Sequence, residues 1–380
     1  MASLVLCGIE KNMKETRMYA IKIAFVFTLF LSSCSDEDQV NLVEDKAETH
    51  LWKLVTAWPP NLPVNHEVTE EFAKDIELMS NGKLKVKVYN AGELIPGLQV
   101  FDAVSQGAVQ MGFAASYYWS GKIPASQIFT VVPFGMTEKG SLAWIKFGGG
   151  LKLWRELYEP FGVRPYPMGS TGVQMGGWFN KKINSMKDIQ GLKMRIPGLG
   201  GKVIAKAGGN PILLSAAEVY TALERGTIDA TEWVGPLHDK RFGLDRIAKY
   251  YYYPGWHEPG PQMEMIINQK AWDRLSEPLQ KIVETCIAKS GLTLSTKNEA
   301  ENAMALQQII DENRVELVRF PHNVLTNLKN LNTQVLAEEA AKDEGFRKVL
   351  ESYQKFQDLY APYEAVTNRA YDEFRNVNSK

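Results

Sequence analysis

Cysteine is scarce, with three in 380 residues, at positions 7, 34 and 286. Two of them fall in an N-terminal stretch that reads as a leader, so Cys286 stands alone and an internal disulfide framework is excluded. Stability must come from packing. The five histidines include no pair at i, i+4 spacing, and no zinc-binding pattern is present. No G-x-S-x-G, H-E-x-x-H or paired Cys/His arrangement occurs, which removes the commonest nucleophilic and metallopeptidase designs. Gly198-Leu-Gly-Gly201 opens a helix but lacks the spacing of a dinucleotide or P-loop fingerprint. Neither sign of charge is in excess. Lys and Arg number 43 against 44 Asp and Glu, for a formal net charge of -1, and without a basic stripe a nucleic-acid partner is not expected.

Long apolar runs are missing too. Ile21 to Leu31 is too short to span a bilayer unaided. It follows Lys11, Lys14 and Arg17 and ends in Leu31-Ser32-Ser33-Cys34, which reads as a lipoprotein signal peptide over residues 1–34 whose lipobox Cys34 becomes the acylated first residue. The acidic run after it makes residues 35–48 a solvated tether.

What remains is ordinary globular composition, 45% hydrophobic and 23% charged, enough for two lobes with separate cores. Strand and helix signals alternate from Leu51. Leu51–Trp58 is a strand, Val68–Met79 a helix stopped at Asn81-Gly82, and Leu84, Val86 and Val88 alternate as a strand. A helix over Gly97–Ser105 and a strand through Val109, Met111 and Phe113 complete βαβαβ, the half-unit of an open parallel sheet. The plan then repeats. Strands are expected at Met175–Phe179, Lys193–Ile196, Pro211–Leu214 and Ile228–Trp233, with helices at Gly201–Ala207 and Val219–Arg225, the latter opened by the capping box Ser215-Ala-Ala-Glu218. Ser276-Glu-Pro starts a long helix towards Asn313, and Val315–Phe320 is a further strand. The expected partition is 49–170 for the first part of lobe 1, 171–252 for lobe 2, 253–322 for a return to lobe 1 with a bracing helix, and 323–380 for C-terminal helices.

Arg195 sits inside a short apolar strand, Leu192-Lys-Met-Arg-Ile196, closed by Pro197-Gly198. A guanidinium there needs a carboxylate, from the protein or from a ligand. The stretches Gly176-Gly-Trp-Phe-Asn-Lys181, Met186-Lys-Asp-Ile-Gln-Gly-Leu-Lys-Met-Arg-Ile-Pro-Gly198 and Ala222-Leu-Glu-Arg-Gly-Thr-Ile-Asp-Ala-Thr-Glu-Trp-Val-Gly-Pro236 resemble the solute-binding subunits of tripartite ATP-independent periplasmic (TRAP) transporters. The similarity runs from about Leu51 to about Gly291. Glu232-Trp233 and Trp256-His-Glu-Pro-Gly-Pro261 are most similar to members that bind 2-oxo acids or lactate with a metal ion.

The resemblance implies an α/β chain of the two-lobed periplasmic-binding-protein type II kind, with mixed sheets, a cleft between lobes and long C-terminal helices. It implies a binding role without catalytic residues. Arg195, Gln174, Trp233 and Tyr118 would hold a small monocarboxylate, and Gln174, Glu232, Trp233 through its carbonyl, and Glu258 would hold a sodium or calcium ion bridging to it. Gln262 rivals Glu258, and Tyr117 rivals Tyr118. Implied partners are the transporter's membrane subunits, a bacterial membrane through the N-terminal lipid on the periplasmic side, and a second copy through the C-terminal helices. Two other readings stay open on the residues alone: a sensory or interaction lipoprotein with the same pocket, and a metal-assisted lyase or hydrolase using Glu232 and Glu258.

Overall fold

The structure, a computed structural model, describes residues 49–376; the expected signal peptide, its Cys34 and the tether lie outside the described residues. Among the described residues, no helix is long and apolar enough to cross a membrane.

Two sheets organise the chain. The first contains β1 (His50–Thr56), β2 (Leu84–Tyr89), β3 (Met111–Ala114), β4 (Val163–Ser170) and β10 (Gln262–Asn268), in the order β2-β1-β3-β10-β4. Strands β1, β2 and β3 run parallel, and β10 runs antiparallel between β3 and β4. The second contains β5 (Gly177–Phe179), β6 (Lys193–Arg195), β7 (Asn210–Ile212), β8 (Ala230–Thr231), β9 (Tyr250–Tyr253) and β11 (Glu316–Arg319), in the order β11-β9-β5-β8-β6-β7. Both sheets are mixed, and each forms the floor of one lobe.

The alternating strands form because their apolar side chains have a face to bury. Leu54, Val55, Met111, Phe113, Met265 and Ile266 are fully buried at the centre of the first sheet. The helix Asn65–Met79 turns Val68, Phe72 and Ile76 onto that sheet and ends at Asn81 and Gly82, both with positive φ. In the second lobe Ser215 and Glu218 make both bonds of the capping box.

Two expectations need correction. Val163–Ser170 gave no strand signal because Pro165 and Pro167 interrupt it, yet it pairs with β10 as an edge strand, the place in a sheet where missing N–H donors are tolerated. Glu316–Arg319 was expected within the segment that returns to lobe 1, but it pairs with β9 in the second sheet. The return itself is made by β10.

The 36-residue helix Glu277–Glu312 packs on β4 and on Asn65–Met79 in the first lobe, and on Pro236–Arg241 in the second. Helix His322–Lys342 packs on Gly198–Lys206, and Glu344–Glu364 packs back on the first lobe. Thus the terminal helices brace both lobes. Where β4 meets the long helix, the backbones touch. Gly169 has φ +84, and a Cβ there would lie 2.4 Å from the carbonyl oxygen of Gly291. The pairing register between β4 and β10 shifts at the same point, a bulge that re-aims the chain as it leaves the sheet. Gly169→Ala therefore combines left-handed strain with a backbone clash and should lower stability by about 2–5 kcal/mol in urea unfolding; an unchanged midpoint would show that the contact yields freely.

Candidate ligand and metal site

The carboxyl ends of the strands converge on the space between the lobes, as expected for open α/β sheets. Arg195 is the last paired residue of β6, opposite Ile212 and Thr231. Its guanidinium is 1% exposed. Nη1 donates to Glu232 Oε1 and, at 3.4 Å, to the Glu232 carbonyl, while Nε donates to the Leu214 carbonyl at 3.3 Å. The Trp233 ring lies 4.8 Å from the guanidinium carbon. Burial works against the Arg195 charge, but Glu232 holds its pKa above the ordinary value. The partner demanded by the sequence is therefore an internal carboxylate.

Only one of that carboxylate's oxygens is engaged in a hydrogen bond. Glu232 Oε2 is buried and makes none, with His257 Nε2 3.5 Å away. Glu258 lies beside them, and one ligating atom each from Glu232, His257 and Glu258 fall within 4.8 Å of one another. Burial first, and then repulsion from Glu232, push the Glu258 carboxyl well above the usual carboxylate range.

Gln174 and Glu258 are brought together by two of the segments that cross between lobes, β4 to β5 and β9 to β10. Gln174 N donates to the Glu258 carbonyl at 3.1 Å, and Gly255 N donates to the Gln174 carbonyl at 3.0 Å. Gln174 Nε2 donates to Thr171 Oγ1 at 3.1 Å, leaving Gln174 Oε1 buried without a donor. Three buried oxygens, Gln174 Oε1, Glu232 Oε2 and Glu258 Oε2, thus lack partners. With the His257 ring beside them, these oxygens would suit a hard cation such as calcium or sodium, whose charge would favour the ionised form of Glu258.

A cavity of about 20 Å³ opens beside this cluster, lined by Tyr117 and Tyr118 from the first lobe and by Gln174, Arg195, Trp233 and His238. Burial raises the pKa of Tyr118 to about 12 and holds that of Tyr117 well above its ordinary value, so both phenols stay neutral. The sequence-predicted residues Arg195, Gln174, Trp233 and Tyr118 share the cavity, and Glu232 and Glu258 share the oxygen cluster. Gln262, the rival for Glu258, instead donates to the Glu138 carbonyl at 3.3 Å and is not among the residues lining the cavity.

Sequence reasoning ranked one contributor too low and missed two. His257 joins the acidic cluster, a placement hinted at only by its adjacency to Glu258. Asn65 and His238 line the cavity with no sequence signal at all. His238, in the second lobe, hydrogen-bonds through Nε2 to the Pro63 carbonyl of the first at 2.9 Å. That carbonyl also accepts from Asn65 N at 2.6 Å across Val64, whose φ is 63 and ψ -58. This is the strained, uncommon form of the γ-turn. His238 Nδ1 is buried without a partner, so the ring is neutral and the Nε2 proton is the one that joins the lobes.

Burial lowers the His238 pKa to about 4 from the ordinary 6.5. The unfolded chain binds a proton that the folded chain resists, so this residue's contribution is complete above pH 6.5 and is lost as pH falls towards 4, by up to about 3 kcal/mol. His238→Gln keeps a donor near the Nε2 position without the titration. Its stability curve between pH 6.5 and 4 should be flatter than that of the parent in urea unfolding; identical curves would assign the acid sensitivity to other groups.

Comparison with known proteins agrees with this architecture. Residues 54–343 match the profile of bacterial extracellular solute-binding protein, family 7. A monocarboxylate 2-oxoacid-binding periplasmic protein of Nostoc is 40% identical over 347 residues, covering 91% of this chain and 94% of that protein. A TRAP periplasmic solute-binding protein from Colwellia psychrerythraea, solved with calcium and pyruvate, superposes with TM-score 0.84 at 40% identity, covering 86% of this chain and 99% of that one. One from Pseudoalteromonas atlantica, solved with sodium and pyruvate, gives TM-score 0.84 at 42% identity with the same coverage. With two braced lobes, a polar cleft between them and a match through most of its length, this chain belongs to the family 7 bacterial extracellular solute-binding proteins, the periplasmic receptors of TRAP transporters.

Proposed function

We propose that this receptor captures a small 2-oxo monocarboxylate such as pyruvate, together with a calcium or sodium ion, and presents it to the transporter's membrane subunits. The observation that carries the reading is the set of three unpartnered buried oxygens beside Arg195. In this reading Gln174, Glu232, the Trp233 carbonyl and Glu258 would hold the ion, which would supply positive charge to attract the ligand carboxylate. Arg195 clamps that carboxylate, Gln174 touches both partners, Tyr118 donates its phenol proton and Trp233 walls off the tail. No bond is made or broken. Closure is favoured because a ligand in the cleft touches both lobes at once. The calcium- and sodium-bound relatives at 40% and 42% identity support the class of ligand and ion.

Two further parts of the reading concern assembly. The Leu31-Ser-Ser-Cys34 sequence supports lipid attachment at Cys34, which mass analysis of the mature N-terminus checks; an unacylated terminus at another residue would rule it out. Leu359, Tyr363 and Val366 are exposed near the end of the terminal helices, which supports pairing of two copies there.

Thermal unfolding against small carboxylates, with calcium, sodium or chelator, tests the main reading. Pyruvate at about a hundred times its dissociation constant should add about 2.7 kcal/mol with the right ion, and removing the ion should abolish the gain. Arg195→Ala should raise the pyruvate Kd by on the order of a hundredfold, through loss of its charge-assisted hydrogen bonds. It should also cost the ligand-free protein about 3–5 kcal/mol, because Glu232 is left buried without its partner. Pyruvate binding that survives this variant would move the carboxylate site away from Arg195.

A further inference from the structure

In the second lobe three hydrogen-bond donors meet on one carboxyl group that does not itself line the cavity. Trp178 of β5 and Tyr251 of β9 are partners across the sheet, their rings stacked with centroids 3.9 Å apart at an angle of 14°. Stacking brings their polar tips out together. Trp178 Nε1 donates to Asp239 Oδ2 at 2.9 Å, and the Tyr251 hydroxyl donates to the same oxygen at 2.7 Å. The other oxygen, Oδ1, accepts from Val234 N at 3.1 Å. Asp239 is 1% exposed, on the helix Pro236–Arg241. Trp178 belongs to the Gly176-Gly-Trp-Phe-Asn-Lys181 stretch, which the ligand site leaves without a role.

The Val234 N–H belongs to the same peptide group as the Trp233 carbonyl. A trans peptide is planar, with its N–H and C=O pointing in opposite directions. Holding the N–H on Asp239 therefore turns the Trp233 oxygen the other way. Among the described residues this oxygen accepts no hydrogen bond, while the Val234 carbonyl accepts from Met175 N, next to Gln174, at 3.1 Å. Trp233 and Val234 both line the cavity, so the Asp239 bond sets the orientation of backbone at its wall. Burial raises the Asp239 pKa to about 7, against the pull of its three donors. Above that pH the group is a carboxylate, able to accept from all three at once.

We propose that Asp239 is the positioning residue of the ion site: through Val234 N it fixes the direction of the Trp233 carbonyl, the backbone ligand in the reading above. The proposal rests on that reading. Asp239 acts only through the peptide it holds. Asp239→Asn replaces one acceptor oxygen by an NH2 group of nearly the same size. The oxygen that remains satisfies two donors by facing Trp178 and Tyr251, which sets the NH2 group against Val234 N and breaks the bond that orients the carbonyl.

Terbium(III) in place of calcium reads the coordination directly, because its luminescence lifetimes in light and heavy water count the waters on the ion. The measurement is made at about pH 8, above the Asp239 transition, with excess pyruvate. Asp239→Asn should add about one coordinated water relative to the parent and raise the calcium Kd by on the order of tenfold to a hundredfold. An unchanged water count would overturn the proposal whatever the variant's stability, since a purely structural carboxylate moves the unfolding midpoint and leaves the ion's coordination alone. If Asp239→Asn does not fold, the parent decides by NMR, isotope-labelled at the tryptophan carbonyl, the valine nitrogen and the aspartate carboxyl. Calcium should shift the Trp233 carbonyl carbon while Val234 N keeps its coupling to the Asp239 carboxyl carbon. A Trp233 carbon that does not respond, or a coupling lost when calcium binds, would overturn the proposal. Failure of the parent to bind either calcium or terbium with pyruvate would instead strike the reading of the ion site, and this proposal with it.

Discussion

A permanent charge buried at a strand end has to be matched, and Arg195 imposes that requirement on the whole cleft. Glu232 answers it with one oxygen and a backbone carbonyl, and Trp233 covers the guanidinium face. This arrangement fixes the ends of β6 and β8 relative to each other. It also leaves a surplus: the second oxygen of Glu232 has no hydrogen-bond partner, and beside it burial and Glu232 oppose the charged form of Glu258. A cation joining them would favour the charged form of Glu258, so the pairing that stabilises the fold also leaves oxygens able to receive an ion.

The crossovers turn this local demand into a property of the whole molecule. Gln174 and Glu258 belong to two of the stretches of chain that pass between lobes and are hydrogen-bonded to each other there. Oxygens gathered at that position are ordered by the hinge itself, while Tyr118 approaches from the first lobe and Trp233 from the second. In the proposed reading, capture and lobe closure are one event seen from two sides.

Much of this was legible in the sequence, because period-two and helical patterns record which faces are buried. The βαβαβ unit, the capping box at Ser215 and the stop at Asn81-Gly82 depend on local chemistry, and local chemistry can be read from neighbours in the chain. Arg195 was legible as an unmet need. Its answer at Glu232, 37 residues on, was set by the adjacency of β6 and β8, which no local pattern states. The prolines of β4 hid a strand because edge position is a tertiary fact. Glu316–Arg319 read correctly as a strand but not to its sheet, since apolar alternation says nothing about which neighbour it meets. His238 and Asn65 gave no signal, for their roles exist only across the cleft.

The contact of Gly169 with Gly291 has a mechanical consequence. It seats the long helix against the first lobe, reinforced by the bond from Ser170 N to Ser295 Oγ at 3.0 Å. Eleven residues on, Asn302 Oδ1 accepts from Leu237 N of the second lobe at 3.0 Å, a separation of about 16 Å along the helix. The two lobes are thus riveted to one rod at points close together beside the crossovers. Such a joint resists sliding and leaves swinging as the soft motion, so a small turn at the rod becomes a wide gape at the far rim of the cleft.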